Sequence, residues 1–359
     1  VASPLGSMYP PMPELTARAR PLVEAGECEA GDADARARDV SRGYFLLDWL
    51  RVIRQAFGHS PHPLAAYRGG AICGILPLVR VSSRLFGSFL VSLPFVNYGG
   101  VLADDPAAAL ALLGRAERLR QESGCDSLEL RHCGPVFPTL PSLSAKEAML
   151  LDLRSDPEAQ WKGFKDKVRN QVRKAVKGGL SLESGGPELL DEFYRVFCVN
   201  MRDLGTPVYS RKFFADVLRF FPSSTRVLSV RRAGRCIASG IVYTYGDTMQ
   251  MPWASSLVSE RASCPNHLLY WEAIRQASAE GFTRFDFGRS TPGSGPWKFK
   301  RQWGAYPMPL RWEYCLGLGK SLPGLNVANP KFSFAIAAWK HLPLPVANVL
   351  GPRIVRCIP

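Results

Sequence analysis

The chain has none of the short signatures that mark most enzyme active sites. No GxSxG is present, so there is no nucleophile elbow, and no GxxxxGK[ST] is present to cradle a nucleotide. No GxGxxG follows a strand pattern, which removes the usual dinucleotide fold. The five histidines (His59, His62, His132, His267, His341) show neither HxH nor HExxH spacing, so no metal site is expected. Nine cysteines are scattered without a CxxC pair, and the odd count gives no disulfide framework. They read as free, buried thiols in a reducing cytoplasm. No continuous apolar leader opens the chain. The longest apolar runs are residues 85–96, too short to span a bilayer, and residues 332–349, broken by Lys340, His341, Pro343 and Pro345. Acids are also scarce: 31 Asp and Glu face 45 Lys and Arg, for a net charge of +14.

That charge suits polyanionic partners: nucleic acid, nucleotide-linked substrates, phospholipid headgroups or phosphorylated lipid carriers. At 359 residues, 46% hydrophobic and 21% charged, the chain has the length for two domains and the apolar content for a core. Residues 1–40 are rich in Pro, Ala and Arg and read as a loose segment. Two similar series follow. The first is a hairpin turning at Gly69–Gly70, a strand over 88–95, a helix over 106–123 ended by Gly124, and a strand over 127–132. The second is a hairpin turning at Ala233–Gly234, a strand over 248–253, a helix over 265–280 ended by Gly281, and a strand over 284–288. Glu129 in the first closing strand corresponds to Asp286 in the second. The pattern predicts a duplicated α/β unit, with one helix over residues 156–177 between the copies.

Residues 285–304, FDFGRSTPGSGPWKFKRQWG, are the most informative segment. An acid sits between apolar anchors on a strand, and a Gly/Pro loop follows. Trp297, Phe299 and Trp303 then interleave with Lys298, Lys300 and Arg301. Aromatic bodies there can fix cationic heads against a phosphate or a developing oxyanion; a buried strand with a solvated basic helix start fits the same residues. In the central helix Arg169 and Arg173 recur at i, i+4 beside Lys162, Lys167 and Lys174, a like-charge row that an anion would relieve. No aromatics interleave on that face, which argues against stacking of single-stranded nucleic acid, and nothing points to DNA. Tyr209 lies in a loop of turn-forming residues. Trp253, Asn266 and Tyr270 flank the start of the second helix, where free N–H groups could receive an anion.

Two tandem units closed by DFG–loop–K–x–x–W–G resemble the FemAB-like branch of the GNAT acyltransferases, most of all those associated with PEP-CTERM/exosortase systems. The segments that carry the resemblance include LVSLPFVNYGG (90–100), KVRNQVRKA (167–175), NMRDLGTPVYSRKFF (200–214), PWASS (252–256) and the tail 329–352. The resemblance implies an α/β fold of two GNAT-like subdomains, mixed sheets flanked by helices, at 41–150 and 151–315, with a tail at 316–359. It implies amide formation on a cell-envelope or exopolysaccharide precursor, with no tightly bound cofactor and either aminoacyl-tRNA or acyl-CoA as donor. Lys300 would then carry the oxyanion and Asp286 would accept or orient the amine proton. Substrate contacts would come from Arg289, Lys298, Trp303, Arg169, Arg173, Tyr209, Trp253, Asn266 and Tyr270. Lys300→Met is expected to remove activity at little cost in stability. The (Q/R)xxGx(G/A) loop of CoA-binding GNAT enzymes is missing, since Gln121–Gly124 ends a helix where the dipole disfavours phosphate. Two further readings are an acyl-CoA-dependent N-acetyltransferase on a sugar or small amine, and a non-catalytic adaptor for an anionic glycan carrier. The expected location is the cytoplasm, with peripheral contact at anionic membrane.

Overall fold

The structure, a computed structural model, describes residues 18–21, 47–83, 86–322 and 330–358. In chain order the first half comprises β1 (Arg18–Pro21), α1 (Asp48–Phe57), β2 (Ser60–Pro61), β3 (Leu64–Arg68), β4 (Ala71–Leu76), β5 (Leu78–Ser83), β6 (Gly87–Ser92), β7 (Leu102–Ala103), α2 (Pro106–Glu122), β8 (Ser127–His132), β9 (Ser142–Leu143) and β10 (Glu147–Asp152). The second half holds α3 (Pro157–Gly163), α4 (Asp166–Lys177), β11 (Leu180–Gly185), α5 (Leu190–Leu204), α6 (Arg211–Phe220), β12 (Thr225–Arg232), β13 (Arg235–Tyr245), β14 (Thr248–Ser256), α7 (Pro265–Ala279), β15 (Arg284–Ser290), α8 (Gly295–Gln302), β16 (Tyr306–Pro309) and β17 (Arg311–Leu316). Helices α9 (Pro330–Lys340) and α10 (Leu344–Val355) follow.

Both halves are built around one parallel strand pair. In a six-stranded sheet of order β2-β5-β6-β8-β17-β9, β6 and β8 pair in parallel over three residues, ending at Val91 opposite Glu129. In a seven-stranded sheet of order β11-β12-β13-β14-β15-β10-β16, β14 and β15 do the same, ending at Gln250 opposite Asp286. Beyond those residues the strands part, and each acid stands at the mouth of a splay. Helix α2 crosses over in the first unit and α7 in the second, as a parallel pair requires. Asp105 caps α2 through the Ala108 N–H, and Pro106 supplies the fixed φ of the first turn. The hairpin turn before β13 has positive φ at both Ala233 (46°) and Gly234 (78°), the geometry of a two-residue primed turn.

Three expectations need correction. The sheets do not respect a division at 150/151 and 315/316. Strand β10 from the first segment lies beside β15 in the second sheet, and β17 returns beside β8 in the first. Each parallel pair is therefore flanked by a strand lent from elsewhere in the chain, which ties the units together. The helix expected over 156–177 is two. Phe164 and Lys165 are both extended (ψ 148° and 147°), because Phe164 turns inward to pack edge-on against Trp303 and Trp271. Within the segment read as loose, Arg18–Pro21 pairs antiparallel with β3; the rest of residues 1–40 lies outside the described residues.

Each unit buries its own core, and a third, aromatic-rich cluster fills the seam between them. There Trp49, Phe57, Phe95, Phe213, Phe214 and Trp253 meet at centroid distances such as 4.1 Å for Phe57–Phe95 and 5.4 Å for Phe213–Trp253. Tyr98 belongs to this seam, and its loop has two non-glycine residues with positive φ, Leu93 (58°) and Phe95 (71°). Such backbone is costly and persists where the surroundings over-determine it.

Candidate active site at the splayed strands

Asp286 stands at the last paired position of β15 with β14 and is 2% exposed. Its Oδ2 accepts from the Tyr98 hydroxyl at 2.5 Å, and its Oδ1 from the Gly288 N–H at 2.7 Å. The first contact joins residues 188 positions apart, so the two subdomains share this carboxyl. Gly288 has φ 74°, which lets the strand kink and turn its amide back to the acid. Lys300 reaches in from α8, 7% exposed, and its Nζ donates to the carbonyls of Gly288 (3.0 Å) and Arg289 (3.2 Å). Burial lowers the Lys300 pKa to about 8, with the Asp286 charge opposing the shift. Burial raises that of Asp286, against the pull of Tyr98, the Gly288 amide and Lys300. Desolvation thus drives both groups towards neutrality, the arrangement that readies a pair for proton handling near pH 7.

The remaining sequence candidates fall into separate places. Arg289 and Tyr209, both half-buried, lie together with Arg131 at the seam: Tyr209 feels the charge of both arginines, and its pKa rises through burial. Lys298 is exposed on the outer face of α8. It lines an open groove of about 390 Å³ with Lys165, Lys167, Val168, Trp297, Arg301 and Gln302. Trp297 is fixed there by its Nε1 donating to Glu147 at 2.7 Å, and the Arg301 guanidinium lies 5.5 Å from its ring. The groove runs close to the first turn of α7, since the Lys167 charge helps burial push His267 down to about 4. Asn266 sits in that same turn, half-buried. Arg169 is ion-paired to Asp166, and Arg173 bonds Asn170 while its guanidinium lies 5.6 Å over Trp161, so both are engaged on α4.

Three candidates are core residues. Trp253 is packed into the seam, Trp303 is 1% exposed against Phe164, and Tyr270 stacks on Phe287 at 5.3 Å. Tyr98, Arg131, Lys146, Glu147 and Trp312 have no role in the sequence reading, although Tyr98 stands inside one of the segments that carry the resemblance. Their positions depend on the exchanged strands and the strained 92–100 loop, which periodicity does not reveal. Among the described residues no group of His, Cys, Asp and Glu could hold a metal, and the eight described cysteines are free.

Residues 162–301 match the acetyltransferase (GNAT) domain family. The fold is that of a tandem GNAT protein. FemX superposes with a TM-score of 0.64 at 13% identity, over 82% of this chain and 96% of that one. The C-terminal domain of a putative lysylphosphatidylglycerol synthetase from Agrobacterium fabrum gives 0.55 at 13% identity, over 88% and 95% of the two chains. A tandem GNAT protein from the clavulanic acid biosynthesis pathway gives 0.54 at 15% identity, over 85% of this chain and all (100%) of that one. No curated protein matches in sequence. The expected two-unit α/β architecture therefore holds, and the matched domain spans α4, the cations of the basic groove, Asp286 and Lys300.

Proposed function

We propose that the protein is an N-acyl or aminoacyl transferase that forms an amide on a cell-envelope or exopolysaccharide precursor of a PEP-CTERM/exosortase system. The observation that carries this reading is the buried Asp286–Lys300 pair in the splay of a GNAT-type sheet, closed by Tyr98 from the other subdomain. An ammonium has three N–H groups; two meet main-chain carbonyls, and the third is what an acyl oxyanion would take. As the amine nitrogen attacks the acyl carbon, a C–N bond forms and Lys300 bears the oxyanion. The amine proton passes through the Tyr98 hydroxyl to Asp286, and then to the sulfur or oxygen of the donor as its bond to carbon breaks. The donor's phosphates lie in the groove of Lys165, Lys167, Lys298 and Arg301, where no acid lines the wall.

An acyl-CoA donor is the second reading, favoured by the acetyltransferase match itself. Purified protein would be offered aminoacyl-tRNA or acetyl-CoA together with an amino-sugar nucleotide, and amide product read by mass spectrometry. Product with one donor, lost in Lys300→Met, supports the assignment. Undiminished turnover in Lys300→Met would refute it, and specific binding of a glycan carrier without turnover would favour the adaptor.

A further inference from the structure

A second cationic centre lies at the seam, apart from the basic groove. Arg131 on β8 is 1% exposed; its Nε donates to Glu129 at 2.6 Å and its Nη1 to the Val96 carbonyl at 3.4 Å. Its Nη2 is buried with no partner. The Arg131 guanidinium stands 4.3 Å from the ring of Trp312 on β17, and that of Arg289 stands 5.5 Å from the same ring. Lys146, just before β10, donates to the Thr291 hydroxyl at 2.6 Å and feels the Arg289 charge. The Trp312 Nε1 also lacks a partner. Arg289, Lys146, Trp312 and Tyr209 are only half-buried, so the cluster meets solvent on one side.

Buried N–H groups are almost always satisfied, and an orphaned one costs about 1–3 kcal/mol, more on a charged group. Converging three cations from β8, β15 and the approach to β10 adds like-charge repulsion, which also helps burial lower the Lys146 pKa. Glu129 pairs with Arg131 through its Nε side. An oxyanion placed between the three cations would satisfy Arg131 Nη2, relieve the repulsion, and find a neutral donor in the Trp312 Nε1–H.

We propose that Arg131, Arg289 and Lys146 form an oxyanion-binding site at the subdomain seam that holds a phosphate or carboxylate of the acceptor. That this oxyanion belongs to the acceptor rests on the transferase reading above; the site itself does not. It stands beside Asp286, three residues before Arg289 on β15, and on the side of Tyr98 rather than of the basic groove.

Calorimetric titration of the whole chain with inorganic phosphate, and separately with acetate, tests the site. Saturable binding of either is expected, weakened at least tenfold by Arg289→Gln and by Lys146→Met but unchanged by Lys167→Met or Lys298→Met. Phosphate alone identifies a phosphorylated acceptor, and acetate alone a carboxylate. Arg131 is left intact because its loss would strand Glu129. Binding of neither ion, or binding that follows Lys167 and Lys298 instead, overturns the proposal. Phosphate binding in a protein without transfer activity would remove the transferase reading and leave the site standing; transfer without such binding would do the reverse.

Discussion

Glu129 and Asp286 occupy the same place in two copies of one architecture, each at the last residue of a three-residue parallel pairing. One difference in their surroundings lies two residues further along the strand. In the first copy that residue is Arg131, which closes on Glu129 at 2.6 Å and completes a buried ion pair. In the second it is Gly288, which returns only an amide to the acid and exposes its carbonyl to Lys300. An arginine on the strand neutralises the acid and ends its chemistry. A glycine leaves the acid to be answered by a tyrosine from the other subdomain and a lysine from α8. The duplicated scaffold thus contains one sealed acid and one poised acid, and the residue two positions along the strand, Arg131 or Gly288, goes with the difference.

Glu129→Ala should be the most damaging change to the sealed copy. It strands Arg131 at 1% exposure, and breaking a buried pair from one side costs about 3–5 kcal/mol. Urea unfolding would measure it; a midpoint shift equal to that of an exposed Glu→Ala control would mean the pair is not sealed. In the poised copy the expected loss is in rate: Lys300→Met removes an oxyanion donor worth about 2.7–4 kcal/mol of barrier, a 100- to 1,000-fold drop in turnover. Burial of the ammonium revises the expectation that stability is spared, because two carbonyls lose their donor and Asp286 loses a nearby positive charge.

The pH dependence sharpens the same contrast. The folded pKa of Lys300, about 8, lies below the ordinary 10.5, so the unfolded chain binds the extra proton between those values. This group's contribution to stability is therefore full above pH 10.5 and is lost as pH falls through 8. The stability difference between wild type and Lys300→Met should grow in favour of wild type from pH 8 to pH 10. A flat difference would show that Lys300 titrates normally. Turnover should fall as pH rises past about 8, when the ammonium is lost, and Lys300→Arg should push that limb upward. Tyr98→Phe is milder. It removes one donor from a buried carboxyl, about 1–3 kcal/mol, and should raise the Asp286 pKa further. Carbon-13 NMR of labelled aspartate would follow that titration, and an unmoved Asp286 would break the proposed relay.

Much of the fold could be read from the sequence because its signals are local. The Gly69–Gly70 and Ala233–Gly234 turns, the Gly124 and Gly281 helix stops, and the alternation around Glu129 and Asp286 each depend on a few neighbouring residues. The lent strands β10 and β17 were invisible for the opposite reason: alternation places a segment in a sheet without saying which sheet. The site divides the same way. Asp286, Arg289, Lys298 and Lys300 share one informative segment, whereas Tyr98, Arg131, Lys146 and Trp312 reach the seam only through long-range pairing. Trp303 read as part of a site because an aromatic beside cations reads alike whether it faces a ligand or a core, and Trp253 and Tyr270 because they flank a helix start, a position that does not tell a binding wall from packing.

The smallest expected effect concerns the tail, the region outside both copies. No described helix is long and apolar enough to cross a membrane. Yet Phe334 on α9 and Val346, Val349 and Leu350 on α10 are exposed, with Lys340 and Arg353 on the same two helices. Part of α10 is tied to the fold, since Gly351 sits against the Val208 backbone and the Arg356 carbonyl accepts from the His59 ring at 2.8 Å. Docking on the protein thus accounts for one face of the tail and leaves apolar side chains on another. Contact with anionic lipid would add roughly 1 kcal/mol per nearby Lys or Arg before screening. Sedimentation with vesicles of anionic and neutral lipid would read it, with binding expected on the anionic vesicles at low salt and release at high salt. Phe334→Ser with Val349→Ser should weaken that binding severalfold while leaving the Asp286–Lys300 chemistry intact. Absence of binding at low salt would assign the tail wholly to packing and reserve the positive charge for the donor groove and the seam.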